Sequence, residues 1–383
     1  MNSVGIICEY NPFHNGHLYH LNEVKKLFPN TPIILIMSGH FTQRGIPSII
    51  NKWEKTKLAL DYGIDLVIEL PFVFASQSAD IFAKGSIELL KELKVSYLVF
   101  GSETNDVDTL INLAKIQINN PEYDQLVKSF LDKGYNYPTA LSKALTKISK
   151  VDLNNPNDIL GLAYIKEIIK QKAKIKPITI KRTVGFHSDS IIDNITSASN
   201  IRQKIYDNQN IEQLVPKPVY NCLTQCSLHF TENYFPLLKY KIMIESNLEQ
   251  YQTVDEGIEN RIDKCIITSI STDQLVNSIK TKRYTYNKIM RMLTHILCSF
   301  TKQEAININN EYIRLLGFSK IGQTYLNKIK KDLHLPIITN YKPKFSHILD
   351  IEIRATKVYA SILNEKDKIS LIEKEFKQSP LQK

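Results

Sequence analysis

Up to about residue 200, short continuous apolar runs alternate with segments whose apolar residues recur at helical spacing. The runs at 4–8, 33–37, 66–70, 97–100 and 178–181 read as continuous rather than alternating, with Glu69, Thr179 and Lys181 as polar exceptions. That pattern predicts strands buried on both faces of a parallel sheet. Between them, 17–27, 52–62, 78–93 and 157–171 carry the helical period. Strand–helix alternation of this kind predicts an α/β fold, an N-terminal Rossmann-like doubly wound parallel sheet. Further along the pattern shifts to longer helical segments at 200–208, 235–246, 259–268, 272–279, 286–298, 311–316, 322–333 and 350–364. A mostly α-helical C-terminal domain is expected there. Pro216 and Pro218 suit a connector, because neither continues a helix or a sheet interior. The boundary is placed near residue 205, giving domains 1–205 and 206–383. Only residues 377–383 read as disordered.

Composition narrows the class. With 43% apolar and 23% charged residues the chain reads as folded. Its 49 Lys+Arg against 39 Asp+Glu give a net charge of +10, with the larger share of the excess in the helical half. Nucleotides or nucleic acid are favoured as partners. The five cysteines, Cys8, Cys222, Cys226, Cys265 and Cys298, are odd in number and thinly spread. No basic and apolar leader opens the chain, so a reduced, cytoplasmic setting is expected. The longest apolar stretch, 66–75, is broken by Glu69 and Pro71 and falls short of the roughly 20 residues of a membrane span. A disulfide scaffold, a collagen-like chain, an integral membrane protein and a small metal-dependent domain are excluded.

The most informative chemistry follows the first predicted strand. There an Asn11-Pro12 turn leads into His14-Asn15-Gly16-His17 at the start of an amphipathic helix. Two imidazoles and several free backbone N–H groups thus meet at a helix N-terminus beside the carboxyl end of a strand. Anions bind at such places in open parallel sheets. Gly16 lets a nucleotide approach the backbone closely. A zinc reading of His14, His17 and His20 is open, but no Cys or carboxylate with suitable spacing stands nearby. Walker A, GxGxxG and HExxH patterns are absent.

The HNGH after a first strand resembles the nucleotidyltransferase superfamily related to class I aminoacyl-tRNA synthetases. Longer blocks narrow the resemblance. EYNPFHNGH at 9–17, SGHFTQRG at 38–45, ELPF at 69–72, QSAD at 77–80, FGSE at 100–103, PNDILGLAY at 156–164, IKRTVGFH at 180–187, SASNIR at 197–202 and TKRYTYNKIMR at 281–291 resemble, in order, the bacterial tRNA(Met) cytidine acetate ligase family. The resemblance implies a two-step reaction. ATP and acetate give acetyl-adenylate and pyrophosphate, and the acetyl group then passes to N4 of the wobble cytidine of elongator tRNA(Met). It also implies that Ile7, Cys8, Glu9, Tyr10, Asn11, Pro12, Phe13, His14, Asn15, Gly16, His17, Leu18, Tyr19 and His20 cradle ATP. His14 and His17 would be the catalytic pair, binding the phosphates and the developing charge. Gly101, Asn157 and Arg182 match the remaining ATP-binding positions. ATP is expected to carry Mg²⁺ as part of the substrate, with no dedicated protein metal site.

In SASNIR, the counterpart of the superfamily's second phosphate-binding signature, Ser197 and Ser199 can cap a helix and donate to phosphate. Arg202 presents a cation one turn later. Lys280, Lys282, Arg283, Lys288 and Arg291 form a run without an acid, interleaved with Tyr284 and Tyr286. Cations for phosphates and aromatics for unpaired bases suit contact with an anticodon loop. Cys8, His40, Ile46 and Asp80 depart from residues common in the family, outside the HNGH and SASNIR cores; Cys8 is also a conceivable nucleophile. Two other readings stay open: a nucleotidyltransferase adenylylating a phosphorylated small molecule, and a tRNA-binding protein with a vestigial adenylation site.

Overall fold

The computed structural model describes residues 2–153, 155–182 and 194–383. The block at 180–187 therefore lies outside the described residues from residue 183 onward. Five strands form a parallel array: β1 (Val4–Cys8), β2 (Ile33–Ser38), β3 (Leu66–Leu70), β4 (Tyr97–Ser102) and β5 (Lys176–Lys181). β2 and β3 are buried throughout and β1 is buried over its first three residues, as continuous apolar runs require. The sheet continues with β6 (Ile313–Phe318), antiparallel to β3, and β7 (Ile337–Ile338), in the order β5-β4-β1-β2-β3-β6-β7; β8 (Leu381–Gln382) pairs with β6.

Two expectations are corrected. Residues 311–316 were expected to be helical but contribute to β6. Arg314 interrupts the apolar run, yet it is 1% exposed and its guanidinium donates to the Glu375 carboxylate at 3.3 Å and the Glu375 carbonyl at 3.2 Å. A buried, paired charge hid the strand from a reading based on polarity. Residues 377–383 are likewise ordered. Leu381 and Gln382 pair with Gly317 and Phe318, and the Lys383 ammonium donates to the Asp61 carbonyl at 2.8 Å.

Among the described residues, the buried apolar side chains form two clusters. The larger holds the sheet together with Ile211, Leu214, Val219, Ile348, Tyr359 and Leu371. The smaller joins residues of the helices Phe235–Ile244, Ile258–Thr268, Thr272–Ile279 and Tyr286–Leu297. The C-terminal segments thus return to the first cluster after the chain has built the second. Between β1 and β4 the strand order reverses, because the chain passes from β1 to β2 on one side while β4 pairs on the other. The carboxyl end of β1 consequently faces a crevice, the place where α/β sheets hold ligands.

Candidate active site

The crevice is walled first by the turn that follows β1. The Lys55 ammonium is buried beneath it and donates to the carbonyls of Glu9 (3.1 Å), Ser38 (2.8 Å) and Gly39 (2.8 Å). It thereby joins the segments that leave β1 and β2. Burial pushes its pKa down to about 8. Asn11 Oδ1 accepts from the Ile49 N–H at 2.7 Å, and the Asn11–Pro12 peptide is cis. Phe13 turns inward and stacks on Tyr62 with centroids 4.7 Å apart. These anchors hold the backbone that presents His14.

His14 precedes the helix Asn15–Leu27 as its N-cap. Its Nδ1 accepts from the Gly16 N–H at 3.0 Å, while the His14 N–H donates to His17 Nδ1 at 3.3 Å. With both Nδ1 atoms accepting, the neutral rings carry their protons on Nε2 and retain one donor each. The rings lie 3.9 Å apart, centroid to centroid. Burial, then Arg182 and Arg202, pushes His14 down to about 3. Burial, His14 and Arg182 hold His17 well below the usual range, and burial with Arg182 brings His20 to about 4. Near pH 7 these shifts favour the neutral form of all three imidazoles.

A second wall comes from the helix Ala198–Tyr206. Ser197 caps it, its side chain accepting from the Asn200 N–H at 3.1 Å. The Arg202 guanidinium donates to the Asn11 carbonyl at 2.7 Å and to Ser199 Oγ at 3.1 Å, tying this helix to the turn after β1. Burial and the neighbouring Arg44 lower its pKa to about 10, so it stays charged. Asn15 completes the tie, its amide donating to the carbonyls of Asn194 (3.0 Å) and Gln213 (2.8 Å).

The third wall lies at the end of β4. Glu103 accepts from the Asn157 amide at 2.5 Å, and the Arg182 guanidinium donates to Asn157 Oδ1 at 3.4 Å. Asp158 fixes this corner by accepting from Ser102 Oγ (2.5 Å) and the backbone N–H groups of Glu103 (3.1 Å) and Thr104 (3.2 Å). A Cβ on Gly101 would sit 3.3 Å from Arg182 Cγ. The absent side chain therefore leaves room for that guanidinium.

Together the walls enclose a cavity of about 600 Å³. Of the residues expected from the sequence, Ile7, Cys8, Glu9, Tyr10, Asn11, His14, Gly16, His17, Tyr19, His20, Gly101, Asn157, Arg182, Ser197, Ser199, Arg202 and Arg291 line it. Pro12, Phe13, Asn15 and Leu18 stand behind the lining, and Lys280, Lys282, Arg283 and Lys288 lie elsewhere. Gln43 and Arg44 also line it, within a block the sequence had marked without assigning roles. Lys55 and Glu103 went unassigned; a lysine at helical spacing and a glutamate after a strand give no local signal. Burial pushes the Cys8 thiol up to about 12, which disfavours the thiolate that a nucleophile needs. Among the described residues, the grouping whose ligand atoms could share a metal is Glu54, Cys222 and Cys226, rather than the three histidines.

The basic run divides. Arg291, on the helix Tyr286–Leu297, reaches the cavity and donates to the Gln43 carbonyl at 3.4 Å. Lys280, Lys282 and Arg283 are exposed. Tyr284 is buried, donates to the Asp255 carbonyl at 2.7 Å and lies under the Lys288 ammonium, 4.5 Å from its ring centroid. Its ring is committed to packing, which corrects the expectation that it can stack on a base. Tyr286 is 38% exposed.

A nucleotide-sized crevice at a strand switch point, with paired imidazoles at a helix N-terminus, defines a nucleotidyltransferase-type site. The model of the family described as HIGH Nucleotidyl Transferase matches residues 1–374. The chain is 40% identical over 400 residues to a tRNA(Met) cytidine acetate ligase of Anoxybacillus flavithermus, covering 100% of both chains, and 40% identical over 399 residues to one of a Geobacillus species, again covering 100% of both. The crystal structure of Thermotoga maritima TmcAL (apo, form I) superposes with a TM-score of 0.93 at 30% identity, over 100% of this chain and 99% of that one. The same protein bound with alpha-thio ATP superposes with a TM-score of 0.90 at 30% identity and the same coverage. The chain belongs to the HIGH nucleotidyl transferase family and, within it, to the tRNA(Met) cytidine acetate ligases.

Proposed function

We propose that the chain activates acetate with ATP and transfers the acetyl group to N4 of the wobble cytidine of elongator tRNA(Met), forming N4-acetylcytidine. The observation that carries this reading is that one cavity receives the imidazole pair, Ser199 and Arg202, and also Arg291 from the helix that follows the exposed basic run. A small-substrate adenylyltransferase has no need of that second connection.

In the first step an acetate oxygen attacks the α-phosphorus and the bond to the β-phosphate oxygen breaks, so pyrophosphate leaves with the electron pair. No protein nucleophile is required; positioning and charge stabilisation suffice. His14 and His17 offer Nε2–H donors to the phosphates, and the N-terminus of their helix adds its dipole. Arg202, with Ser197 and Ser199, takes the departing phosphates, while Gly101, Asn157 and Arg182 hold the nucleoside end. In the second step the cytidine amine attacks the acetyl carbonyl, AMP leaves and the amine loses a proton. Mg²⁺ arrives on the ATP phosphates as part of the substrate.

Lys280, Lys282, Arg283 and Lys288 would meet tRNA phosphates outside the cavity, and Arg291 would stand between tRNA and adenylate. Among the described residues no helix is long and apolar enough to cross a membrane, and a cytoplasmic reaction is inferred from the proposed tRNA substrate. Incubation with ATP, labelled acetate and total bacterial tRNA, followed by nucleoside analysis, tests the reading. Label in N4-acetylcytidine that depends on ATP and tRNA supports it. ATP consumption without label in RNA refutes it and favours adenylylation of a phosphorylated metabolite.

A further inference from the structure

The cysteines are thinly spread along the sequence, yet the fold gathers two of them with a carboxylate outside the residues that line the cavity. Cys222 lies in the helix Lys217–Gln225 and Cys226 is its C-cap, so the C-x3-C spacing returns both sulfurs to one side. Their Sγ atoms are 3.4 Å apart and unbonded. Glu54, from the first turn of the helix Lys52–Asp61, brings a carboxylate oxygen to the same place, and the three ligand atoms all lie within 4.8 Å of one another.

We propose that Glu54, Cys222 and Cys226 form a binding site for a thiophilic divalent cation of the zinc type. A tetrahedral ion with bonds of about 2.3 Å to sulfur and about 2.1 Å to oxygen needs ligand separations of about 3.6–3.8 Å. The observed separations reach that geometry with side-chain adjustments of about 1 Å. Two soft sulfurs with one carboxylate select zinc over magnesium or calcium. All three residues are half-buried, so water can fill the fourth position.

A dication binds the two cysteines as thiolates and displaces their protons. Two thiolates, a carboxylate and a dication sum to a single negative charge, which the nearby Lys57 and Lys374 ammonium groups are placed to offset. The ion would tie the helix that carries Lys55, and so the ends of β1 and β2, to the segment around Leu214, whose carbonyl accepts from the Asn15 N–H.

The test is a titration of phosphine-reduced, metal-stripped full-length protein with Co²⁺ alone. One equivalent should produce thiolate-to-cobalt charge-transfer absorption with tetrahedral visible bands, and Zn²⁺ should displace it. Cobalt on the His14–His17–His20 group gives no thiolate band. Cys222→Ser with Cys226→Ser should abolish the band, Glu54→Gln should weaken binding by at least about tenfold, and Cys265→Ser should leave it intact. Thermal unfolding confirms that each variant is folded. No thiolate band in the unsubstituted protein, or a band that survives the double serine substitution, overturns the site.

Discussion

Gly16→Ala probes the site with the least added matter. A Cβ at this position would lie 2.8 Å from His14 Cε1, 3.0 Å from His14 Nδ1 and 3.3 Å from Ile195 Cγ2. Carbon atoms rest about 3.5–4.0 Å apart, so the His14 ring must retreat by about 0.7–1.2 Å. It has little room, being 6% exposed with the His17 ring 3.9 Å behind it. The retreat breaks the Gly16 N–H to Nδ1 bond and frees the ring from its tautomer and direction. A misplacement of about 1 Å costs on the order of 10²-fold in rate, or about 2.7 kcal/mol of transition-state stabilisation. Stability should change little, because alanine within a helix gains about 1 kcal/mol over glycine and offsets the lost hydrogen bond. The assay is acetate-dependent ATP–pyrophosphate exchange beside thermal unfolding and tRNA affinity. An exchange rate near 1% of the parent with near-parental melting and tRNA binding is expected. Exchange within about threefold of the parent would show that His14 does not act from its observed position.

Lys282→Glu with Arg283→Glu should weaken tRNA binding and lower the slope of log affinity against log salt by about two while acetyl-adenylate still forms; filter binding across a salt series reads both quantities. Gly45→Ala should disturb the junction between cavity and helical cluster: Gly45 has φ +73° and its Cβ would lie 2.5 Å from Arg291 Cα and N, backbone atoms that cannot rotate away. Left-handed backbone alone costs about 1–2 kcal/mol for alanine, so a lowered melting temperature and a larger loss in tRNA-dependent than in tRNA-independent turnover are expected. Stability should decline as pH falls from about 6.5 towards 4. His14 and His229 are held to about 3, and His20 and His295 to about 4, against 6.5 when exposed. In that window the unfolded chain binds more protons than the folded one, so stability rises with pH, by up to about 2 kcal/mol per imidazole between pH 5 and 7.5. Chemical denaturation at both pH values measures it, and bound ATP should shrink the His14 contribution.

The elements nearest the site were the most legible. β1 to β4 are buried by layers on both faces, so their apolar runs are uninterrupted or nearly so, and the helix after β1 starts within two residues of the expected position. The imidazole pair was legible because it follows a strand at once. Long-range polar partners were not. Glu103 matters because β4 sets it opposite Asn157, and Lys55 because β1 and β2 end together above it; neither juxtaposition has a local trace. The same cause disguised β6, whose Arg314 is matched by Glu375 sixty-one positions later. It also concealed the Cys222–Cys226–Glu54 group, although the C-x3-C spacing was a signal available in the sequence. Tyr284 was misread because exposure in a basic run depends on the fold beneath it.

The charge distribution of the cavity bears on the binding and cleavage of ATP proposed for it. Arg44, Arg182, Arg202 and Arg291 line it, and the carboxylates facing them are Glu9, which accepts from the Gln43 N–H at 2.6 Å, and Glu103, which accepts from Asn157. Asp80 in the lining is paired with Lys166. Guanidinium charge is therefore in excess, and it has been moved out of bulk water, as the lowered pKa values of Arg44, Arg182, Arg202 and Arg291 register. Further positive charge would cost too much, so the role proposed for the histidines is that of neutral donors rather than cations. When phosphates enter, the sign of their surroundings reverses. The arginines gain partners, and protonation of His14 and His17 becomes easier as pyrophosphate charge develops. Under that proposal the cavity gains stability on binding its substrate. Saturating ATP should accordingly raise the melting temperature by more than AMP, which lacks the two phosphates that answer the excess charge.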